Sequence, residues 1–178
     1  MVNGIIFQKK HGGKYQGVEG DNWYLDDYAG GSHFEEFFSA NIDKSWLDDT
    51  FVDVCSDMAY IKEYYSASKQ QNIDFRMIVC ETDRLNPVFE GSFPRVFIGF
   101  DYAYTGGSYY SAVNNDVASG RIGAFAGFEL NEYGLFNNQI DLKRFIDMRE
   151  RLISAGDDRF EGGDFVIYKL FEIRDDCI

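Results

Sequence analysis

Proline is almost missing from this chain. Pro87 and Pro94 are the only two in 178 residues, so no Pro-rich linker divides it. Cysteine is scarce and odd in number. Cys55, Cys80 and Cys177 stand far apart with no CxxC pair, which argues against a disulfide framework and against a zinc knuckle. Cys55 and Cys80 lie in apolar patterns and read as small buried hydrophobes. Histidine is limited to His11 and His33, neither within an HExxH pattern. A transition-metal centre is therefore not expected, and a Ser-His-Asp triad would have to draw on one of these two residues. GxSxG, GxGxxG and GxxxxGK[ST] do not occur. The glycine pairs that do occur, such as Gly30-Gly31 and Gly162-Gly163, read as turns and not as phosphate cradles.

Long apolar runs are lacking too. None approaches the roughly 20 residues that span a bilayer. The opening MVNGIIFQKK places its charges after the apolar residues, the reverse of a secretory signal, so a first strand and a cytoplasmic location are expected. Positive charge is the last shortage. Seventeen Lys and Arg face thirty Asp and Glu, for a net charge of −13. Such a balance repels phosphate backbones and anionic membranes, and it can steer association with a basic protein.

What is present is a globular composition, 45% hydrophobic and 17% aromatic. A chain of this length buries about 70% of its unfolded surface and is expected to form one domain, 1–178. Residues 11–44 are rich in Gly, Asp and aromatics without a sustained period, and read as loops with short strands. Calcium among Asp21, Asp26 and Asp27 would lack the spacing of an EF-hand. No cofactor is expected.

From Trp46 to Tyr65, Leu47, Phe51, Val54, Cys55, Met58, Ile61 and Tyr65 recur at spacings of three and four, which predicts a helix. Asp48, Asp49, Asp53 and Asp57 occupy its remaining positions and give it an acidic outer face. DFRMIVCE (74–81) and RVFIGFDYAY (95–104) predict strands, and SYYSAVNND (108–116) is expected to pair with the second across a TGG turn. VASGRIGAFAGFEL (117–130) reads as a glycine-broken strand with a bulge. A second helix is predicted from Leu142 to Ala155. Leu142, Phe145, Ile146, Leu152 and Ile153 make its stripe, Asp141 its N-cap and Gly156 the residue past its end. FVIYKLFEI (165–173) is apolar on both faces, as a central strand would be. The fold class is therefore α+β: an antiparallel or mixed sheet packed with two main helices in a single-layer sandwich.

DYAYTGGSYYSAV, from Asp101 to Val113, holds four tyrosines around a Gly-Gly turn. Strict alternation puts Val96, Ile98, Phe100, Tyr102 and Tyr104 on one face of its first strand. Phe97, Gly99, Asp101 and Ala103 fall on the other. Gly99 and Ala103 would admit close approach of another backbone, and Asp101 should be hydrogen-bonded or near solvent. Tyr109 and Tyr110 would return beside Tyr102 and Tyr104. Such rings form a cross-strand ladder, and with Ser108, Ser111, Asn114 and Asn115 they also compose the vocabulary of binding loops.

The run PRVFIGFDYAYTGGSYYSAVNND (94–116), with DLKRFIDMRERLISAG and DFVIYKLFEI in 141–173, resembles bacterial immunity-type proteins encoded beside polymorphic toxins. The resemblance implies a non-enzymatic, cytoplasmic inhibitor that covers the active site of a basic toxin domain. Its expected partner-binding residues are Asp48, Asp49, Asp53, Asp57, Asp101, Tyr102, Tyr104, Tyr109 and Tyr110, with Asp26, Asp27, Glu35 and Glu36 behind them. A hydrolase with a carboxylate-only site and a small-ligand-binding regulatory domain are the alternatives. Thirty acids leave the first of these without a distinguishing mark.

Overall fold

The computed structural model describes residues 4–9, 14–15, 18–19, 62, 65–66, 69–70, 75–83, 94–104, 110–118, 122–160 and 162–174. Five strands form one sheet: β1 (Gly4–Lys9), β4 (Phe75–Glu81), β5 (Arg95–Tyr104), β6 (Tyr110–Ser111) and β7 (Phe165–Ile173). Their order is β1-β4-β7-β5-β6, and every pairing is antiparallel, which decides between the antiparallel and mixed alternatives. A separate two-stranded ribbon joins β2 (Lys14–Tyr15) to β3 (Val18–Glu19). The fold is α+β. No helix of the described residues is long and apolar enough to cross a membrane.

The doubly apolar β7 lies in the middle of the sheet, between β4 and β5, as its composition demands. Val166, Tyr168 and Leu170 of β7 join Ile78, Cys80, Ile98 and Ala103 in one buried cluster on the far face. On the opposite face, Phe165 joins Phe125, Phe136, Leu142, Phe145 and Phe160 under the long helix α1 (Gln139–Ser154). Burying each of these large side chains contributes about 1.5–3 kcal/mol before entropy is counted. Met77, Ile78, Val79 and Cys80 are all buried in sequence, so both faces of β4 are covered at that point.

The ends of α1 follow local chemistry. Asn138, and not Asp141, is the N-cap: its Oδ1 accepts from the backbone N–H groups of Ile140 and Asp141, both at 3.0 Å. Asp141 instead accepts from Asn138 Nδ2 at 2.9 Å, a side-chain bond that steadies the cap. At the other end Gly156, with φ +86°, donates to Ile153 O, and Asp157 N–H reaches back to Leu152 O. That pair of bonds is a Schellman ending, and glycine provides its left-handed residue without cost.

Three expectations change. The return strand after the Gly-Gly turn is two residues long. Helical turns begin at Ala112, where Ser111 Oγ accepts from Asn114 N–H at 3.0 Å and caps them, and they widen into a π-helix over Asn114–Ala118. Residues 122–130 form no strand. A short 3₁₀ turn, Gly123–Phe125, aims Phe125 into the core instead. Of the helix expected from Trp46 to Tyr65, most lies outside the described residues; Lys62 and Tyr65 are helical within that span, and Ser66, Lys69 and Gln70 are helical beyond it.

Candidate docking surface

The alternation of β5 is broken once. Phe97 pairs with Phe171 and Gly99 with Leu170, so Ile98 is the extra residue of a β-bulge. The bulge reverses the phase of everything before it. Ile98 turns to the far face and Phe97 to the helix face, the reverse of strict alternation. Gly99 (φ +148°) makes the kink possible. A Cβ there would stand 2.6 Å from Leu135 Cβ and 3.1 Å from Phe136 O, so only glycine lets the 131–136 turn approach this closely. That turn is tied down by Asn131, whose Nδ2 donates to Ile98 O at 2.7 Å, and by paired bonds between Phe100 and Phe136. The close approach expected at Gly99 is made first by the Leu135 side chain and then by the Phe136 carbonyl.

The outcome is a row of four rings along the helix face of β5: Phe97, Phe100, Tyr102 and Tyr104. None of them is fully buried, and Phe97 keeps 39% of its surface exposed. The rings are braced from beneath. Phe97 meets Phe100 at 5.0 Å and Phe171 at 5.7 Å, edge on. Tyr102 stacks on Phe165 at 5.3 Å, and Tyr104 lies 5.7 Å from the same ring. Tyr104 also rests over Gly163, where an added Cβ would come within 2.8 Å of its ring. The strand beneath is bonded to β7 along its length and, at Ala103 and Tyr104, to β6. Large faces held on rigid backbone lose little entropy on contact.

Asp101 is a correction. It is fully buried, pointing to the far face opposite Tyr168, and cannot meet a partner directly. Its Oδ1 accepts from Ser111 Oγ at 2.9 Å and from the N–H of Tyr102 at 2.7 Å. Ser111 is in turn the cap of the following helical turn. One carboxylate therefore joins β5, β6 and the start of the 112–118 segment, which makes Asp101 a positioning residue for the tyrosines beside it. The expected hydrogen bond is present. Its neighbours feel the charge: burial, then Asp101, pushes the Cys80 thiol well above its usual range, and burial followed by Cys80 and Asp101 raises Tyr168.

Of the other expected residues, Tyr110 pairs by backbone with Tyr104, and Asp48, Asp49, Asp53, Asp57 and Tyr109 lie outside the described residues, as do Asp26, Asp27, Glu35 and Glu36.

Several residues of this region were not singled out by sequence. Arg149 is 2% exposed. Its Nε donates to Asp116 Oδ2 at 2.9 Å while the guanidinium lies 4.6 Å from the Phe165 ring. Its spacing of four from Phe145 was the available signal, since it places an arginine within the apolar stripe. Asn114 carries a buried amide with no hydrogen-bond partner among the described residues. At the outer end of the ring row, Arg95 binds Glu81 at 2.7 Å and covers Phe171 at 4.4 Å. Comparison of the chain with protein-family models, with curated proteins and with solved structures finds no match in any of the three.

Proposed function

We propose that this chain is a non-enzymatic binding protein, an immunity-type inhibitor that neutralises a cognate toxin by covering its active site. The observation that carries this reading is the row Phe97, Phe100, Tyr102, Tyr104. Four rings stand side by side, all partly exposed, on a strand fixed along both edges. Aromatic side chains on a rigid support are the usual anchors of protein interfaces. The resemblance of residues 94–116 to immunity-type proteins covers the same strand. The charge of −13 favours a basic toxin domain as partner, approached in the cytoplasm and steered by the acids of the chain, Asp48, Asp49, Asp53 and Asp57 among them. Asp101 supports the surface from behind and touches nothing across it.

The test is binding of the purified full-length chain to the purified product of the adjacent toxin gene, at roughly 50 and 300 mM salt. A nanomolar complex that weakens at least about tenfold with the added salt is expected, together with loss of the toxin's activity. Absence of binding at the lower salt, or binding that leaves the toxin fully active, contradicts the proposal.

A further inference from the structure

A groove of about 410 Å³ opens beside the N-terminus of α1, on the helix face of the sheet. Its walls are Glu81 and Asp83 from the end of β4, Gln139 and Lys143 from α1, and Ile167 and Lys169 from β7. The volume lies in the range of small-molecule sites. The charges within it are unevenly matched. Register places Lys169 directly opposite Glu81, yet Glu81 is held by Arg95 at 2.7 Å, with side-chain exposures of 17% and 24%. The Lys169 ammonium turns instead to two rings, 5.0 Å from Phe171 and 5.7 Å from Phe97. Lys143 stands on the other wall, one turn into the helix.

Neither lysine joins an ion pair among the described residues, in a chain where thirty acids outnumber seventeen bases. Gln139 is the first residue of a sixteen-residue helix, so the positive end of its dipole adds to the same potential. Asp83 also lines the groove and is exposed like the two lysines, so with Glu81 held by Arg95 one carboxylate faces two ammonium groups.

We infer that this groove is a binding site for a small organic anion. Lys143 and Lys169 hold the anionic group, and the body of the ligand lies along Ile167. The site is separate from the docking reading, because it calls for an anion where the partner proposed above is basic.

Titration of the full-length chain with phenylacetate, phenyl phosphate and neutral phenylacetamide, followed by backbone amide resonances, tests the inference. Either anion should shift Lys143, Ile167 and Lys169 and saturate at millimolar concentration, and the two anion arms rank carboxylate against phosphate. Phenylacetamide should bind at least about fivefold more weakly, the size of one exposed charge pair. The double variant Lys143→Gln, Lys169→Gln should lower the affinity for the preferred anion about tenfold with an unchanged melting temperature, since both side chains are exposed. Equal binding of the amide, an unaffected double variant, or no saturable shift with either anion overturns the inference. So does saturation by a Glu-rich decapeptide while both small anions fail, which would make the groove a protein-docking site.

Discussion

The two faces of β5 carry opposite chemistry from what polarity alone suggests. On the far face sit Ile98, Gly99, Asp101 and Ala103, all buried, with a carboxylate among them at 0% exposure. On the helix face sit Phe97, Phe100, Tyr102 and Tyr104, all partly open. The charged residue is inside and the aromatic ones are half outside. A buried carboxylate persists because Ser111 Oγ and the Tyr102 N–H both donate to it, replacing water. Among the described residues α1 packs over Phe165 and Phe136, while Phe97 at the other end of β5 keeps 39% of its surface exposed. The lesson is that the far face holds the strand in place, while the helix face is what the strand presents.

Removing Asp101 strikes the far face hardest. Asp101→Ala leaves the Ser111 hydroxyl and the Tyr102 N–H without their buried acceptor, and should cost roughly 2–4 kcal/mol in urea unfolding. Ser111→Ala should cost less, about 1 kcal/mol, because the N–H of Tyr102 keeps its acceptor. An Asp101→Ala loss within 0.5 kcal/mol, taken as roughly the scatter of surface substitutions, would mean that the far face does not hold the strand.

Alkaline pH probes the same face more gently. Cys80 and Tyr168 titrate above their ordinary values of 9.0 and 10.0 in the fold, because burial disfavours the thiolate and the phenolate. Groups whose folded pKa is raised contribute fully below the unfolded value and lose that contribution as pH climbs past it. Stability should therefore be level below about pH 8 and decline above 9.0, by about 1.4 kcal/mol per pH unit for Cys80. Cys80→Ala should move the start of the decline towards 10.0, where Tyr168 begins to contribute. An unfolding free energy that stays flat to pH 11, roughly a unit past the free tyrosine value, would show that these groups are not shielded.

How much of this was legible in the sequence depends on how local the cause is. β4, β5 and β7 could be read directly, because their apolar runs are bounded by turn residues, and the central place of β7 followed from its two apolar faces. The Gly156 ending of α1 was equally local. The bulge at Ile98 was not legible, since it exists to seat the 131–136 turn against Gly99, a contact made 36 residues along the chain from the glycine to Leu135. Strict alternation therefore put Phe97 on the wrong face. The N-cap was missed by three residues because Asn138 and Asp141 share the cap, and sequence alone does not say which side chain faces the helix N–H groups. Of the candidate site, Tyr102 and Tyr104 stand partly exposed on the helix face, Asp101 is buried behind them, and Phe97 joins the same row.

Phe97 now gives the most direct measurement. Its ring is the most exposed of the four. In Phe97→Ser, urea unfolding and affinity for the adjacent gene's toxin should be measured on the same preparation. A ring kept for contact predicts a stability loss of about 1 kcal/mol or less and an affinity loss of at least about tenfold. A loss of about 3 kcal/mol or more in stability, with toxin affinity unchanged, would make Phe97 part of the core and remove the surface from the account.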